Sequence, residues 1–449
     1  MHRPILQTAL SILLLLAGAG AAAAQPNTGS ADFSRYVAIG DSLTAGFMSG
    51  GLVRDVQLNS YPALIWRQAL GTATGFEQPL VSQPGIPPLL ALRGLFPTVI
   101  TPRSGTPGNP LNVPPYNNLG VPGARVHDVV ATVTGGLHDL VLRGRGTQLQ
   151  QALALQPTFA TVWIGNNDVL AAATSGRVID GVTLTTLASF ETDFRAIVTA
   201  LNAAGARLAL GNIPDVTAIP FVTTIPPVVV DPRTNQPVRI GGNLVPLVGV
   251  GPGDFVLLSA AGLLAQGIGI PAALGGTGAP LPDQVVLSVA EVAAIRARTA
   301  AFNGIIQTVA NQVGAALMDI HGEFDVVAQR GVTVGGVTYT AAFLTGGFFS
   351  YDGVHPTPFG YAFVANLFLA AINATFDAEI PPVNLFPFMF GPEASAGFAP
   401  ATAQLSPLAL EMLFWSLNVP KLGPGTGEPT PPAPGSKRKP RGRGKAGGG

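Results

Sequence analysis

The sequence predicts an α/β fold in which helices cover a parallel sheet. Three observations carry that prediction. Short β-type runs at residues 36–39 and 158–164 each end in a glycine-containing turn, Gly40-Asp41-Ser42 and Gly165-Asn166-Asn167-Asp168. Helical patterns then alternate with further β-type runs. Hydrophobic residues make up 47% of the 449 residues and charged residues only 11%, a balance that can bury a sizeable core.

The elements come in this order along the chain. After the first strand, residues 50–115 form a long link rich in Pro and Gly. Residues 187–204 read as a helix, because Phe190, Phe194, Ile197, Val198 and Leu201 share one face and Gly205 suits its stop. A strand follows at 207–210. Residues 214–283 are a very apolar insertion with a hairpin expected around 231–236, and long loops of this kind often act as lids or binding loops. The opposite reading is that the insertion merely covers a sheet edge. Ser288 and Glu291 form a capping box for a helix running to about Val313 and stopping at Gly314. A strand at 315–320 comes next. The last long helix is capped by Thr357, with Pro358 at its first position. Residues 379–419 are apolar and broken by proline. They are expected to pack back on the domain, with a short helix at 408–417.

The first residues read as a secretory signal. His2 and Arg3 precede an apolar run, and Ala22 and Ala24 fit a small-residue cleavage site, so Gln25 would begin a secreted or periplasmic chain. A membrane anchor is the alternative, but the apolar run is short for a span. No other segment is expected to be an uninterrupted transmembrane helix. With no cysteine there are no disulfides and no lipid-bearing thiol. From Pro420 onward there are seven basic residues and one acid, Glu428. The rest then carries 17 basic and 23 acidic residues, a net of −6, which disfavours nucleic-acid binding. Residues 420–449 are expected to be a disordered tail.

The chemistry concentrates in a few places. A serine hydroxyl needs an exposed turn and a base within hydrogen-bond reach, and Ser42 sits directly after a strand. Of the histidines His127, His138, His321 and His355, only His355 lies in a compact cluster, Asp352-Gly353-Val354-His355-Pro356. An acid three residues before a histidine can accept its Nδ1 proton and leave Nε2 free to take the serine proton. Acyl transfer also needs donors for the carbonyl oxygen as charge develops on it. Asn118-Leu119-Gly120-Val121-Pro122-Gly123-Ala124 offers backbone N–H groups, and Gly165-Asn166-Asn167-Asp168 offers an amide side chain. His-Glu-x-x-His zinc spacing, a phosphate loop and a Gly-x-Ser-x-Gly elbow are all missing from the sequence.

Four short blocks in this order resemble the GDSL/SGNH hydrolase family. Gly40-Asp41-Ser42-Leu43 is similar to its nucleophile block, and Asp352-Gly353-Val354-His355 to its Asp-x-x-His block. Val121-Pro122-Gly123-Ala124 is similar to the block supplying a backbone donor, which the resemblance puts on Gly123, with Gly120 as the alternative. Gly165-Asn166-Asn167-Asp168 is similar to Gly-x-Asn-Asp, which puts a side-chain donor on Asn167. The resemblance implies a five-stranded, flavodoxin-like α/β/α sandwich, here with long insertions. It also implies a Ser42–His355–Asp352 triad, an oxyanion hole of Ser42, Gly123 and Asn167, and no metal or organic cofactor. The expected function is hydrolysis of small-molecule or lipid carboxylic esters through an acyl-enzyme, with lipid or membrane contact through the apolar insertion. A polysaccharide deacetylase, a thioesterase, or a non-catalytic surface protein keeping the fold are the rivals.

Overall fold

A computed structural model describes residues 26–93, 99–106, 108–389 and 404–421. The expected signal lies outside these residues, as does all but the start of the expected tail. Four strands form the central sheet: β1 (Tyr36–Gly40), β2 (Phe159–Trp163), β3 (Arg207–Gly211) and β4 (Ala316–Met318). They lie side by side in that order, and every neighbouring pair is parallel. Tyr36 stands opposite Phe159, Phe159 opposite Arg207, and Ala209 opposite Ala316.

Every residue of β1 and β2 is buried, as a parallel sheet covered on both faces requires. Side chains alternate between two cores. Val37, Ile39, Ala160, Val162, Leu208 and Leu210 enter one. Tyr36, Ala38, Phe159, Trp163 and Ala209 enter the other. Among the described residues, the helices that cover the sheet or frame the site include α1 (Tyr61–Leu70), α2 (Val126–Ala131), α3 (Asn167–Ser175), α4 (Leu187–Ala203), α5 (Val289–Val313), α6 (Pro358–Phe376) and α7 (Pro407–Ser416). Helices α2, α4 and α5 close the first core, and α1 and α6 close the second, giving three layers.

The local signals act where the sequence places them. The five apolar residues expected on one face of α4 are its buried residues. The Ser288–Glu291 capping box starts α5, and Gly314 ends it in the left-handed region at φ 66°. Thr357 caps α6 by accepting from the Gly360 N–H. A hairpin pairs Val230–Asp231 with Gln236–Pro237 inside the insertion.

Three expectations need correction. The sheet has four regular strands among the described residues, not five. Residues 117–121 run parallel to β1 in the fifth position. Ala38 N–H donates to Asn117 O (2.8 Å), Leu119 N–H to Ala38 O (2.9 Å) and Val121 N–H to Gly40 O (3.1 Å). The run ends with β1 itself, which turns after Gly40 into the Ser42–Ala45 segment. Counting this segment second in the chain gives the order 2-1-3-4-5, that of a flavodoxin-like sheet. Second, α6 is long and apolar enough by composition to cross a membrane, against the expectation of no such segment. Here Phe368, Leu369 and Ile372 pack into the second core instead. Third, the link at 50–115 holds a regular helix, α1. Its residues Tyr61 to Trp66 are all buried, and Arg67 and Gln68 carry its polar side.

The segment after α6 does fold back. Glu379 N–H donates to Asn27 O (2.7 Å), and Gln404–Leu405 pairs with Val99–Ile100 at the edge of a small hairpin. Residues 390–403 lie outside the described residues.

The first core turns on aromatic packing between α4 and α5, where the Phe190 and Phe302 rings stack with centroids 3.8 Å apart. Phe190→Ala should lower unfolding stability by about 3–5 kcal/mol, read from urea midpoints. A loss below about 1 kcal/mol would mean that this contact does not hold α4 and α5 together.

Candidate active site

The site forms at the carboxyl ends of β1 and β2, the edge where open α/β sheets hold ligands. Leaving β1, the chain turns at Gly40 into a single helical turn, Ser42–Ala45. A Cβ on Gly40 would lie 2.0 Å from Thr44 Oγ1 and 2.4 Å from Trp163 O, so only glycine lets this turn close. Asp41 caps the turn by accepting from Leu43 N–H (2.9 Å), which fixes Ser42 beside it.

Ser42 Oγ lies 2.9 Å from His355 Nε2. His355 Nδ1 lies 2.8 Å from Asp352 Oδ2. Residues 313 positions apart in the chain are thus joined through one imidazole. With Asp352 accepting at Nδ1, Nε2 faces the serine as acceptor. The Asp352 carboxylate is itself held by many donors. Oδ2 also accepts from Gly50 N–H (2.8 Å), and Oδ1 from Val354 N–H (2.9 Å), His355 N–H (2.8 Å) and Ser350 Oγ (3.3 Å). Burial pushes its pKa up, but the His355 ring and these N–H groups outweigh that and hold it below the usual carboxylate range. Ser49, at φ 47° in the left-handed region, turns the chain so that the Gly50 N–H meets Asp352. The Phe47 ring packs on the imidazole with centroids 4.7 Å apart.

The other histidines are elsewhere. His127 pairs with Asp193 at 3.0 Å, His138 Nδ1 faces Gly135 O, and His321 Nδ1 faces Ile213 O.

Asn167 begins α3, and its Nδ2 donates to Ala124 O (2.9 Å). One amide hydrogen is spent in orienting the side chain, and a second remains on the same nitrogen. Of the two candidate glycines, Gly120 N–H is committed to Asn118 Oδ1 (3.0 Å). That favours Gly123, which takes a left-handed φ of 81°. Gly120 is instead the point of close approach: a Cβ there would lie 2.5 Å from Ala45 N, inside the Ser42–Ala45 turn.

Several residues that sequence reasoning passes over tie these segments together. Asn118 Nδ2 donates to Thr44 O (2.8 Å) and Asn166 Nδ2 to Asp41 Oδ2 (2.8 Å). Buried Gln148 donates to both Gly40 O (2.8 Å) and Leu119 O (2.6 Å), clamping β1 to the segment beside it. Asp168 Oδ2 accepts from Val126 N–H (3.0 Å), anchoring α3 to the start of α2. Asp41, Asn118, Asn166 and Asp168 sit inside the quoted blocks, so a polar residue next to each chosen one is the available signal. Gln148 lies in no motif and offers none. Among the described residues, no group of three or more His, Asp or Glu side chains could hold a metal ion.

The GDSL-like Lipase/Acylhydrolase family model matches residues 36–368. No curated protein matches. Among solved structures, the chain is similar to an α/β hydrolase enzyme from the metagenome of Lake Arreo, Spain, at 16% identity and a TM-score of 0.35, covering 76% of this chain and 95% of that one. It is similar to an acetylxylan esterase from Geobacillus stearothermophilus at 14% identity and a TM-score of 0.35, covering 75% and 93%. The lipase/acylhydrolase from Enterococcus faecalis matches at 14% identity and a TM-score of 0.32, covering 78% and 100%.

Burial pushes the Asp168 carboxyl up to about 7, although the Val126 N–H and Thr185 oppose this. The folded chain therefore binds this proton more tightly than the unfolded chain, whose pKa is about 3.9. Stability from this group is present below about pH 4 and is lost as pH rises toward 7. Asp168→Asn removes that loss. The stability of wild type minus that of the variant, read from urea midpoints, should fall steadily between about pH 4.5 and 7.5. A gap that stays constant across this range would contradict the assignment.

Proposed function

Because the chain belongs to the GDSL-like Lipase/Acylhydrolase family, whose chemistry is ester hydrolysis, we propose that it is an exported serine hydrolase of carboxylic esters working through an acyl-enzyme. The observation that carries the reading is the unbroken hydrogen-bonded chain from Ser42 through His355 to Asp352.

In the proposed reaction, Ser42 Oγ attacks the acyl carbonyl carbon while its proton passes to His355 Nε2. Asp352 keeps the ring in the right tautomer and stabilises the imidazolium. Its depressed pKa suits that role, because it stays ionised at neutral pH. The oxyanion is held by the Ser42 N–H, the Gly123 N–H and the second hydrogen on Asn167 Nδ2. The imidazolium then protonates the departing alkoxide, and the acyl group remains on Ser42. Water, deprotonated by His355, attacks that ester, and the imidazolium returns the proton to Ser42 Oγ as the acid leaves. Each step is proton transfer and acyl transfer, so the residues named suffice.

The substrate class we propose is small-molecule or lipid esters. The apolar insertion supports the lipid side of that range. Phe221, at its start, donates its N–H to Gly353 O (2.9 Å) in the loop that carries the acid and base. Ile225, Val256, Leu257 and Leu258 extend the same apolar core. Export rests on the secretory pattern before Gln25.

Ser42→Ala should reduce hydrolysis of a short-chain nitrophenyl ester to background. Unchanged turnover by that variant would overturn the reading. Asn167→Ala should lower kcat about 10²–10³-fold with little change in KM, because the contact is made mainly to the transition state. A rise in KM with unchanged kcat would mean that Asn167 binds ground-state substrate instead.

A further inference from the structure

We propose that Phe47 is a positioning residue for His355: its ring keeps Nε2 within reach of Ser42, and Tyr361 holds Phe47 in turn. The consequence for catalysis rests on the serine-hydrolase reading above; the positioning itself does not.

His355 needs an alignment that the sheet does not supply. The loop at 350–356 belongs to no strand of the central sheet, so the parallel ladder that places the turn after β1 does not place His355. The bond from Asp352 fixes one ring atom, Nδ1. A swing of the ring about that atom would carry Nε2 away from Ser42 Oγ, so a second constraint is required.

Phe47 supplies it. The residue is 0% exposed, and its ring lies against the imidazole with centroids 4.7 Å apart and planes at 53°. A phenyl ring has no hydrogen-bonding polar atom, so it acts on the imidazole by filling the space on its face. The backbone of Phe47 is tied on both sides. Its N–H donates to Ser42 O (3.0 Å), and its carbonyl accepts from Tyr361 Oη. Tyr361 is fully buried in the first turn of α6, the helix that starts three residues after His355. Phe47 therefore touches the backbone of the serine, the ring of the base and the helix that follows the base. An aromatic residue this near Ser42 in the chain could instead wall an acyl pocket, but this ring is spent on the imidazole.

The residues after Phe47 do the same for the acid. Met48 and Gly51 exchange two backbone bonds of 3.1 Å, which closes a tight turn. From that turn Ser49 N–H donates to Ser350 Oγ (2.9 Å) and Gly50 N–H to Asp352 Oδ2 (2.8 Å), while Ser49 Oγ accepts from Tyr351 N–H (3.2 Å). The turn is braced from outside, where Leu90 N–H donates to Ser49 O (2.7 Å). A Cβ on Gly51 would lie 2.1 Å from Pro87 O, so the backbone there is packed without slack. Residues 47–50 thus face both the imidazole and its carboxylate. The Ser42–His355 distance becomes a property of Ser42's own neighbours in the chain rather than of the sheet.

The test compares Phe47→Ala, Phe47→Leu and Tyr361→Phe with the native chain, each checked for cooperative urea unfolding. On a short-chain nitrophenyl ester, Phe47→Ala should lower kcat about 10²-fold with KM changed less than about twofold, as expected for roughly 1 Å of misplacement. Phe47→Leu refills part of the space and should recover about tenfold of that loss. Tyr361→Phe keeps the Phe47 ring but leaves its carbonyl without a donor, and should lower kcat about 3–10-fold with KM again unchanged. A crystal structure of Phe47→Ala should show Nε2 out of hydrogen-bond reach of Ser42 Oγ, with Nδ1 still on Asp352. A kcat within twofold of native would overturn the proposal, as would equal losses in Phe47→Ala and Phe47→Leu, or an unmoved Nε2. A raised KM with unchanged kcat would overturn it too, by making Phe47 a wall of the acyl pocket. If Phe47→Ala does not fold, the kcat of Tyr361→Phe and the crystal structure of Phe47→Leu decide in the same way. A native chain that neither hydrolyses esters nor reacts with a fluorophosphonate would refute the serine-hydrolase reading, and the place of Nε2 in Phe47→Ala would still decide the positioning.

Discussion

The imidazole of His355 has to be buried and aimed at Ser42 at once, and the rest of the site depends on meeting that constraint. A buried ring cannot hold its own orientation by solvation. Here the Asp352 carboxylate fixes Nδ1 at 2.8 Å, and that carboxylate is fixed in turn by three backbone N–H groups and Ser350. The loop thus commits its backbone polarity to one anion, which lets the anion stay charged without water. Gly353 supplies a left-handed φ of 71° within the same loop.

Distant segments share one edge of the sheet for a simple topological reason. Parallel strands deliver their carboxyl ends to the same side, so the turns after β1 and β2 are neighbours without further design. Polar side chains then lock those turns: Asn118 to Thr44, Asn166 to Asp41, Asn167 to Ala124, and Asp168 to α2. Few of these groups touch a reacting atom in the proposed chemistry. They set the positions of those that do. Burial of Asp41, pushed up to about 6, and of Asp168 makes this arrangement costly in stability, a common trade at sites that need fixed geometry.

The same physics decides what is legible in the sequence. Ser42, His355 and Asp352 can be chosen because hydroxyl, imidazole and carboxylate chemistry restricts the candidates, and only His355 has an acid at turn spacing in a compact cluster. Helices α4 and α5 are readable because one face is polar and their caps are explicit. Helix α1 is harder to read, because it is only ten residues long, opens with Pro62 and lies within a link rich in Pro and Gly. The fifth sheet position is implied by family resemblance, but it makes only a short run of bonds along β1, which ends at Gly40. The choice between Gly120 and Gly123 needs three dimensions, since it turns on which N–H is already taken. Gln148 acts only through backbone carbonyls far away in sequence, so nothing local announces it.

In the proposed reaction residues 42, 352 and 355 act as one unit, with the serine activated by its neighbours. Fluorophosphonate treatment with peptide mass mapping of the product tests it most directly. A single adduct, on Ser42, is expected, forming at least a hundredfold more slowly in His355→Ala at neutral pH. An adduct on another serine, or undiminished labelling of Ser42 without the imidazole, would contradict it.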